Sequence, residues 1–78
     1  MAQLELFGTP ACPYTAEMRE WLEWRRVEFV EYDVDADPEA RERMRILSGG
    51  QRTVPVLVED GKVTQVGWQG RGCVVAEN

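Results

Sequence analysis

The chain has 78 residues, nine Lys or Arg against fourteen Asp or Glu, and no histidine. That length suits one small domain with a limited core, here taken as residues 1–78, and a net charge of −5 with scattered basic residues argues against nucleic acid as the main partner. Without histidine the commonest general base and metal ligand are missing, so any chemistry must run through sulfur, carboxylate or backbone groups, and no metal site is expected.

Two cysteines, Cys12 and Cys73, are too few and too far apart for a secreted disulfide framework. Met1-Ala2-Gln3 carries no basic region, and the apolar run after it is only as long as a strand. Neither a signal peptide nor a membrane span is expected, and the cytoplasm is the expected compartment.

Leu4, Leu6 and Phe7 read as a first strand inside a sheet. From residue 14 to 25, Met18, Trp21 and Leu22 recur at helical spacing while Glu17, Arg19, Glu20 and Glu23 fill the other face. Trp24 lies next to Trp21 around this helix, which widens its apolar side. Residues 27–34 alternate as a second strand, with a phase change that marks a twist or bulge. Asp37-Pro38-Glu39 starts a second helix, with Asp as N-cap and Pro in the first turn; it runs through Met44, Ile46 and Leu47 to Gly49-Gly50. Residues 53–58 predict a third strand with Pro55 at its entry or edge, and that proline is a candidate for a cis peptide. Glu59-Asp60-Gly61-Lys62 supplies a hairpin turn, and 63–66 the returning strand. Beyond Gly67, glycines at 70 and 72 punctuate the chain, and Val74-Val75 reads as a short extended piece.

The stretch from Thr9 to Thr15 carries the chemistry. It lies where the first strand gives way to the first helix, and Pro13 suits the first helical position because its fixed φ fits and its missing N–H would have no partner there. Cys12 is then the N-cap. Free N–H groups and the positive end of the helix dipole favour its thiolate, and thiols so placed fall from ~8.5 to roughly 3.5–7.5. Pro10, Pro13 and Thr15 describe an exposed turn, so Cys12 reads as a nucleophile; the competing interpretation is a small buried apolar residue.

The order β-α-β-α-β-β, with Cys12-Pro13-Tyr14-Thr15 at the first strand-helix junction and Thr53-Val54-Pro55 entering the third strand, resembles a glutaredoxin of the thioredoxin fold over residues 4–67. The resemblance implies an α/β domain with a four-stranded mixed sheet and a truncated or absent final helix. It implies a thiol-disulfide oxidoreductase acting on protein-glutathione mixed disulfides or protein disulfides, with Cys12 as nucleophile. The second cysteine of the family's Cys-Pro-Tyr-Cys site is Thr15 here; its hydroxyl can donate to the thiolate but cannot resolve an intermediate. With glutathione as co-substrate and no tightly bound cofactor, a monothiol enzyme is the expected form; Cys73 would resolve instead if the tail folds back beside Cys12. The other interpretation of Cys73 is a buried small residue. Pro13, Tyr14, Arg52, Thr53, Val54, Pro55, Gly67 and Trp68 are the implied binding residues, the Val54 backbone pairing with the cysteinyl part of glutathione and Arg52 reaching a carboxylate.

Three departures matter. Thr9 stands where the family commonly has a basic residue, and Gly67-Trp68-Gln69 replaces a Gly-Gly-acidic run. The latter is more similar to glutaredoxin-like reductants recharged by thioredoxin reductase, which makes that enzyme, or glutathione, the expected reductant. The chain also ends soon after Cys73, and its Gly-Cys-Val step is similar to the UXX-star glutaredoxin-like group, in which selenocysteine can replace the first cysteine. Two alternatives stand beside the enzyme. One is an iron–sulfur cluster carrier using Cys12 of two subunits, although members that do this resemble Cys-Gly-Phe-Ser. The other is a redox-responsive homodimer burying the Trp21/Trp24 face, against which the tail itself could cover that flank.

Overall fold

The structure is a computed structural model and describes residues 3–75. Its elements are β1 (Leu4–Gly8), α1 (Pro13–Trp24), β2 (Phe29–Asp33), α2 (Pro38–Leu47), β3 (Thr53–Val54), β4 (Val56–Glu59), β5 (Lys62–Val66) and β6 (Cys73–Val74). Four strands form a mixed sheet in the order β2-β1-β4-β5, with β1 and β2 parallel and the other pairs antiparallel. The expected βαβαββ order and four-stranded mixed sheet are present, and among the described residues there is no third helix. Among the described residues no helix is long and apolar enough to cross a membrane.

The strand expected over 53–58 is two strands. Proline has no N–H to give a ladder, and at Pro55 the chain passes from β3, which pairs with β6, to β4, which pairs with β1 and β5. The Val54–Pro55 peptide is cis.

Successive residues of β1 point to opposite faces of the sheet, and this divides the core. Leu6 joins Met18, Leu22 and Leu57 on the α1 side. Phe7 joins Val34, Ala40, Met44, Val54, Val56 and Val58 on the α2 side, and Cys12 and Val75 belong to this second cluster. The inward stripe of α2 is Ala40 and Met44 with Leu47 packed against it, at helical spacing, whereas Ile46 is 64% exposed. Glu5 faces the α2 side with Phe7. Its buried carboxylate pairs with Arg43 of α2 at 2.9 Å, and this hydrogen-bonded contact holds the guanidinium pKa above its ordinary value. The same guanidinium lies over the rings of Phe7 and Tyr32 at 5.4 and 5.5 Å.

Ends of elements follow from local chemistry. Asp37 Oδ1 accepts from the N–H groups of Glu39 and Ala40, capping α2. Gly49 and Gly50 close it with bonds back to Ile46 and Arg45. The same pair of bonds ends α1, from Arg26 to Glu23 and from Val27 to Leu22, but with Arg26 at φ 59° where glycine is usual. Asp60 and Gly61, both at positive φ, make the tight turn between β4 and β5.

Candidate active site

Cys12 caps α1 in extended conformation, with Pro13 opening the helix, as the residue pattern requires. Its side chain makes no capping hydrogen bond, because the sulfur is bonded to Cys73. The two Cα atoms are 5.9 Å apart and 61 positions separate them in sequence. The Cys12 sulfur also lies 4.0 Å from the Val54 carbonyl oxygen, a contact without a donor hydrogen in this disulfide state. The expectation of an exposed Cys12 is corrected: it is 1% exposed, since the tail carrying Cys73 covers the turn.

The tail arrives by a turn built from Trp68, Gln69, Gly70 and Arg71. Gln69 and Gly70 both take positive φ, and Trp68 and Arg71 bridge across the turn. Gly67 donates to the Pro55 carbonyl and sends the chain into this turn. The glycines thus shape a defined return in place of a loose segment. Beyond Gly72, β6 pairs antiparallel with β3, Cys73 opposite Val54 and Val74 opposite Thr53.

Thr15 lies in the first turn of α1, fully buried, and its hydroxyl has no hydrogen-bond partner. It therefore does not donate to the Cys12 sulfur in this state. Its side chain packs directly against Gly8, where a Cβ would fall 2.6 Å from Thr15 Oγ1. Glycine at 8 is what allows the helix to sit this close to β1. Tyr14 is half-buried against the α2-side cluster, and Pro13 is exposed.

A cleft of about 240 Å³ opens beside the disulfide, lined by Thr9, Ala11, Cys12, Asp35 and Val54 with the tail residues Cys73, Val74 and Val75. The structure therefore brings Cys12, Cys73 and Val54 together, with Thr53 and Pro55 adjoining in the chain. Arg52 lines an adjoining pocket with Arg41 and Met44, and Val75 is shared between the two. Trp68 is also elsewhere: it packs on the α1-side cluster with its ring 5.5 Å from that of Trp21. Trp21 thus packs against Trp68 within the chain, while Trp24 is 80% exposed.

The sequence model of the Glutaredoxin family matches residues 4–64, from β1 into β5. The chain belongs to the glutaredoxin family. A probable glutaredoxin of Synechocystis sp. is 37% identical over 60 residues, covering 76% of this chain and 55% of its own length, so the chain spans about half of that relative. A glutaredoxin-like protein of Clostridium pasteurianum, described as lying in a rubredoxin operon, is also 37% identical over 60 residues and is covered over 79% of its length. Among solved structures, a glutaredoxin of Archaeoglobus fulgidus superposes with a TM-score of 0.74 at 27% identity, covering 88% of this chain and 78% of that one.

Membership in the glutaredoxins makes thiol-disulfide chemistry the family activity. The family match ends before the tail, and the tail holds what residue patterns missed: the β3–β6 pairing and the buried Val75. Asp35, the charged group of the cleft lining, was also missed. The Gln69-Gly70 step was the available signal for the return, since a glycine following a polar residue suits a turn with two positive φ values.

Proposed function

We propose that this glutaredoxin is a thiol-disulfide oxidoreductase that works as a dithiol enzyme, with Cys12 as nucleophile and Cys73 as resolving thiol. The observation that carries it is the bond between them across the Thr53–Val54 edge. In the cycle, the Cys12 thiolate attacks one sulfur of a protein disulfide or protein-glutathione mixed disulfide and expels the other half as thiolate. Cys73 then attacks the Cys12 sulfur, releasing the bound half as a thiol. Two electrons have passed to the substrate, and the enzyme is left with the Cys12–Cys73 disulfide, which two glutathione thiols or one dithiol reductase return to the reduced state.

The helix N-terminus supports the Cys12 role. The dipole and unpaired N–H groups of the first turn favour a sulfur anion at the cap, both for attack and when Cys12 leaves during reduction. Thr15, buried and without a hydrogen-bond partner in the oxidised state, is suited to donate to that anion once the disulfide opens. The pairing favours the dithiol cycle over the monothiol one. A cleft lining that is uncharged apart from Asp35 favours a protein disulfide over tightly held glutathione.

Intact mass after mild oxidation with glutathione disulfide tests this. The wild type is expected to form the internal disulfide, Cys73→Ser a stable adduct of one glutathione on Cys12, and Cys12→Ser no turnover. A stable adduct on Cys12 of the wild type would sink the dithiol cycle.

A further inference from the structure

Cys73 reaches Cys12 from a strand that is fixed at both ends. In β6 the side chains alternate: Cys73 faces the site, Val74 is 71% exposed, and Val75 just beyond is 4% exposed. Val75 belongs to the α2-side core cluster with Met44 and Val54, and its N–H donates to the Arg52 carbonyl at 2.8 Å. At the other end, β6 lies so close to β3 that a Cβ on Gly72 would fall 2.5 Å from the Val54 carbonyl oxygen and 2.8 Å from Thr53 Cγ2. Any side chain there would push the strands apart. Between these two fixed points the register leaves Cys73 opposite Val54, next to Cys12.

We infer that Val75 and Gly72 are positioning residues for the redox pair, holding Cys73 beside Cys12 whether or not the bond is made, so that the oxidised site closes on its own tail in preference to an external thiol. This rests on the dithiol cycle above. The exchange concerned starts from Cys12 bonded to glutathione. The Cys73 thiolate attacks the Cys12 sulfur, one S–S bond forms as one breaks, and glutathione leaves as a thiolate that takes up a proton from water; nothing is oxidised or reduced overall. Its equilibrium constant is the effective concentration of Cys73. A flexible tail supplies on the order of mM, and a strand already docked supplies more, because the ordering cost has been met by folding.

The same docking covers β3. Were the tail absent, the backbone groups of Thr53 and Val54 that now bond to β6 would be open to another extended segment. The anchor therefore also sets how hard an external ligand must compete for that edge.

Effective concentration is measured by equilibrating the 78-residue protein in glutathione and glutathione disulfide, quenching in acid, and counting internal disulfide against glutathione adduct by mass. Val75→Ala is expected to lower it by up to about tenfold, the full worth of burying the lost methyl groups, the fall growing as the weakened anchor lets the tail leave in the adduct. Val75→Ile should keep it within about threefold, because an apolar side chain still fills the anchor site. Gly72→Ala should lower it as well, and since residue 72 is exposed, this variant stands in if Val75→Ala does not fold. Val58→Ala, in the same cluster but on β4, is the control for general loss of stability, expected to lower the urea midpoint without moving the partition. Wild-type partition in both Val75→Ala and Gly72→Ala overturns the positioning role and leaves the dithiol cycle standing. An equal fall in Val58→Ala overturns it too, by making stability the whole effect. A wild type that forms no internal disulfide removes the dithiol cycle and the inference with it.

Discussion

Reducing the Cys12–Cys73 bond should cost this domain about 4 kcal/mol of stability. The two cysteines are separated by 61 positions, so the bond closes most of the chain into one loop, and the entropy it removes from the unfolded state is worth about that much at 25 °C. A domain of this length has in total on the order of 4–12 kcal/mol, which leaves the reduced form marginal. With a urea dependence of about 1 kcal/mol per M, the midpoint should fall by roughly 4 M between the oxidised and fully reduced protein. The assay is urea denaturation followed by tryptophan fluorescence, with and without excess reductant, and again on Cys73→Ser. A thermodynamic cycle adds an independent check: whatever the disulfide adds to folding, folding must add to the disulfide. The exchange constant with glutathione should therefore be about a thousandfold more favourable to the internal disulfide in the folded protein than in the chain held unfolded in urea, at 1.4 kcal/mol per factor of ten. A gap below about 1 kcal/mol between oxidised and reduced forms, or equal exchange constants in the two states, would refute the reasoning.

Three substitutions probe the scaffold around that bond. Thr15→Val keeps the volume that packs against Gly8 and removes a buried hydroxyl without a partner, so the oxidised form should gain about 1 kcal/mol in urea titration; the same change should slow alkylation of reduced Cys12 by iodoacetamide if the hydroxyl supports the thiolate. Arg26→Gly should stabilise by about 0.5–1 kcal/mol, because position 26 holds a left-handed conformation at φ 59° that costs little only for glycine; loss of stability in thermal melts would count against that account of the α1 terminus. Arg43→Ala should destabilise by about 2 kcal/mol, since it leaves the Glu5 carboxylate, 6% exposed, without its partner, and the value is kept below that of a fully buried pair because Arg43 itself is half exposed. An effect under about 0.5 kcal/mol would mean that water reaches Glu5 once the arginine is gone.

Much of the scaffold was legible because short-range chemistry specifies it. Asp37-Pro38 and Cys12-Pro13 mark helix starts through capping and a fixed φ, and Asp60-Gly61 marks a turn through two positive φ values. Periodicity located α1, and capping located α2, where Ile46 is 64% exposed because an apolar residue next to a buried stripe need not itself be buried. The joining of Val54 to Cys73 could not be read the same way. Two-residue strands are too short to display a period, and their partners lie 19 positions apart with β4, β5 and a second turn between them. The burial of Cys12 escaped for the same reason: locally its neighbours describe an exposed turn, and only a segment from the far end of the chain covers it.

Coverage by the tail also explains how two helices and one short segment enclose the sheet among the described residues. On the α1 side, Trp68 from the final turn lies against Trp21 and the cluster of Leu6, Met18, Leu22 and Leu57, supplying apolar area from a few residues. On the α2 side, Val75 joins the core next to Cys12 and Val54. One short segment, from Trp68 to Val75, therefore contributes packing to both faces of the sheet and carries Cys73 between those contacts. Packing and redox state are coupled as a consequence. Any change that loosens the segment weakens the disulfide, and opening the disulfide removes the covalent tie but leaves Trp68, Val75 and the β3–β6 pairing to keep the tail in place. Reduction alone should thus leave β6 docked, with the amide of Val75 still protected from hydrogen exchange in the reduced native protein. Protection well above that of an unstructured peptide, and below that of the oxidised form by no more than the about thousandfold that the lost global stability accounts for, is the expected result. Exchange at the rate of an unstructured peptide while the rest of the sheet stays protected would show that the disulfide, rather than packing, holds the tail.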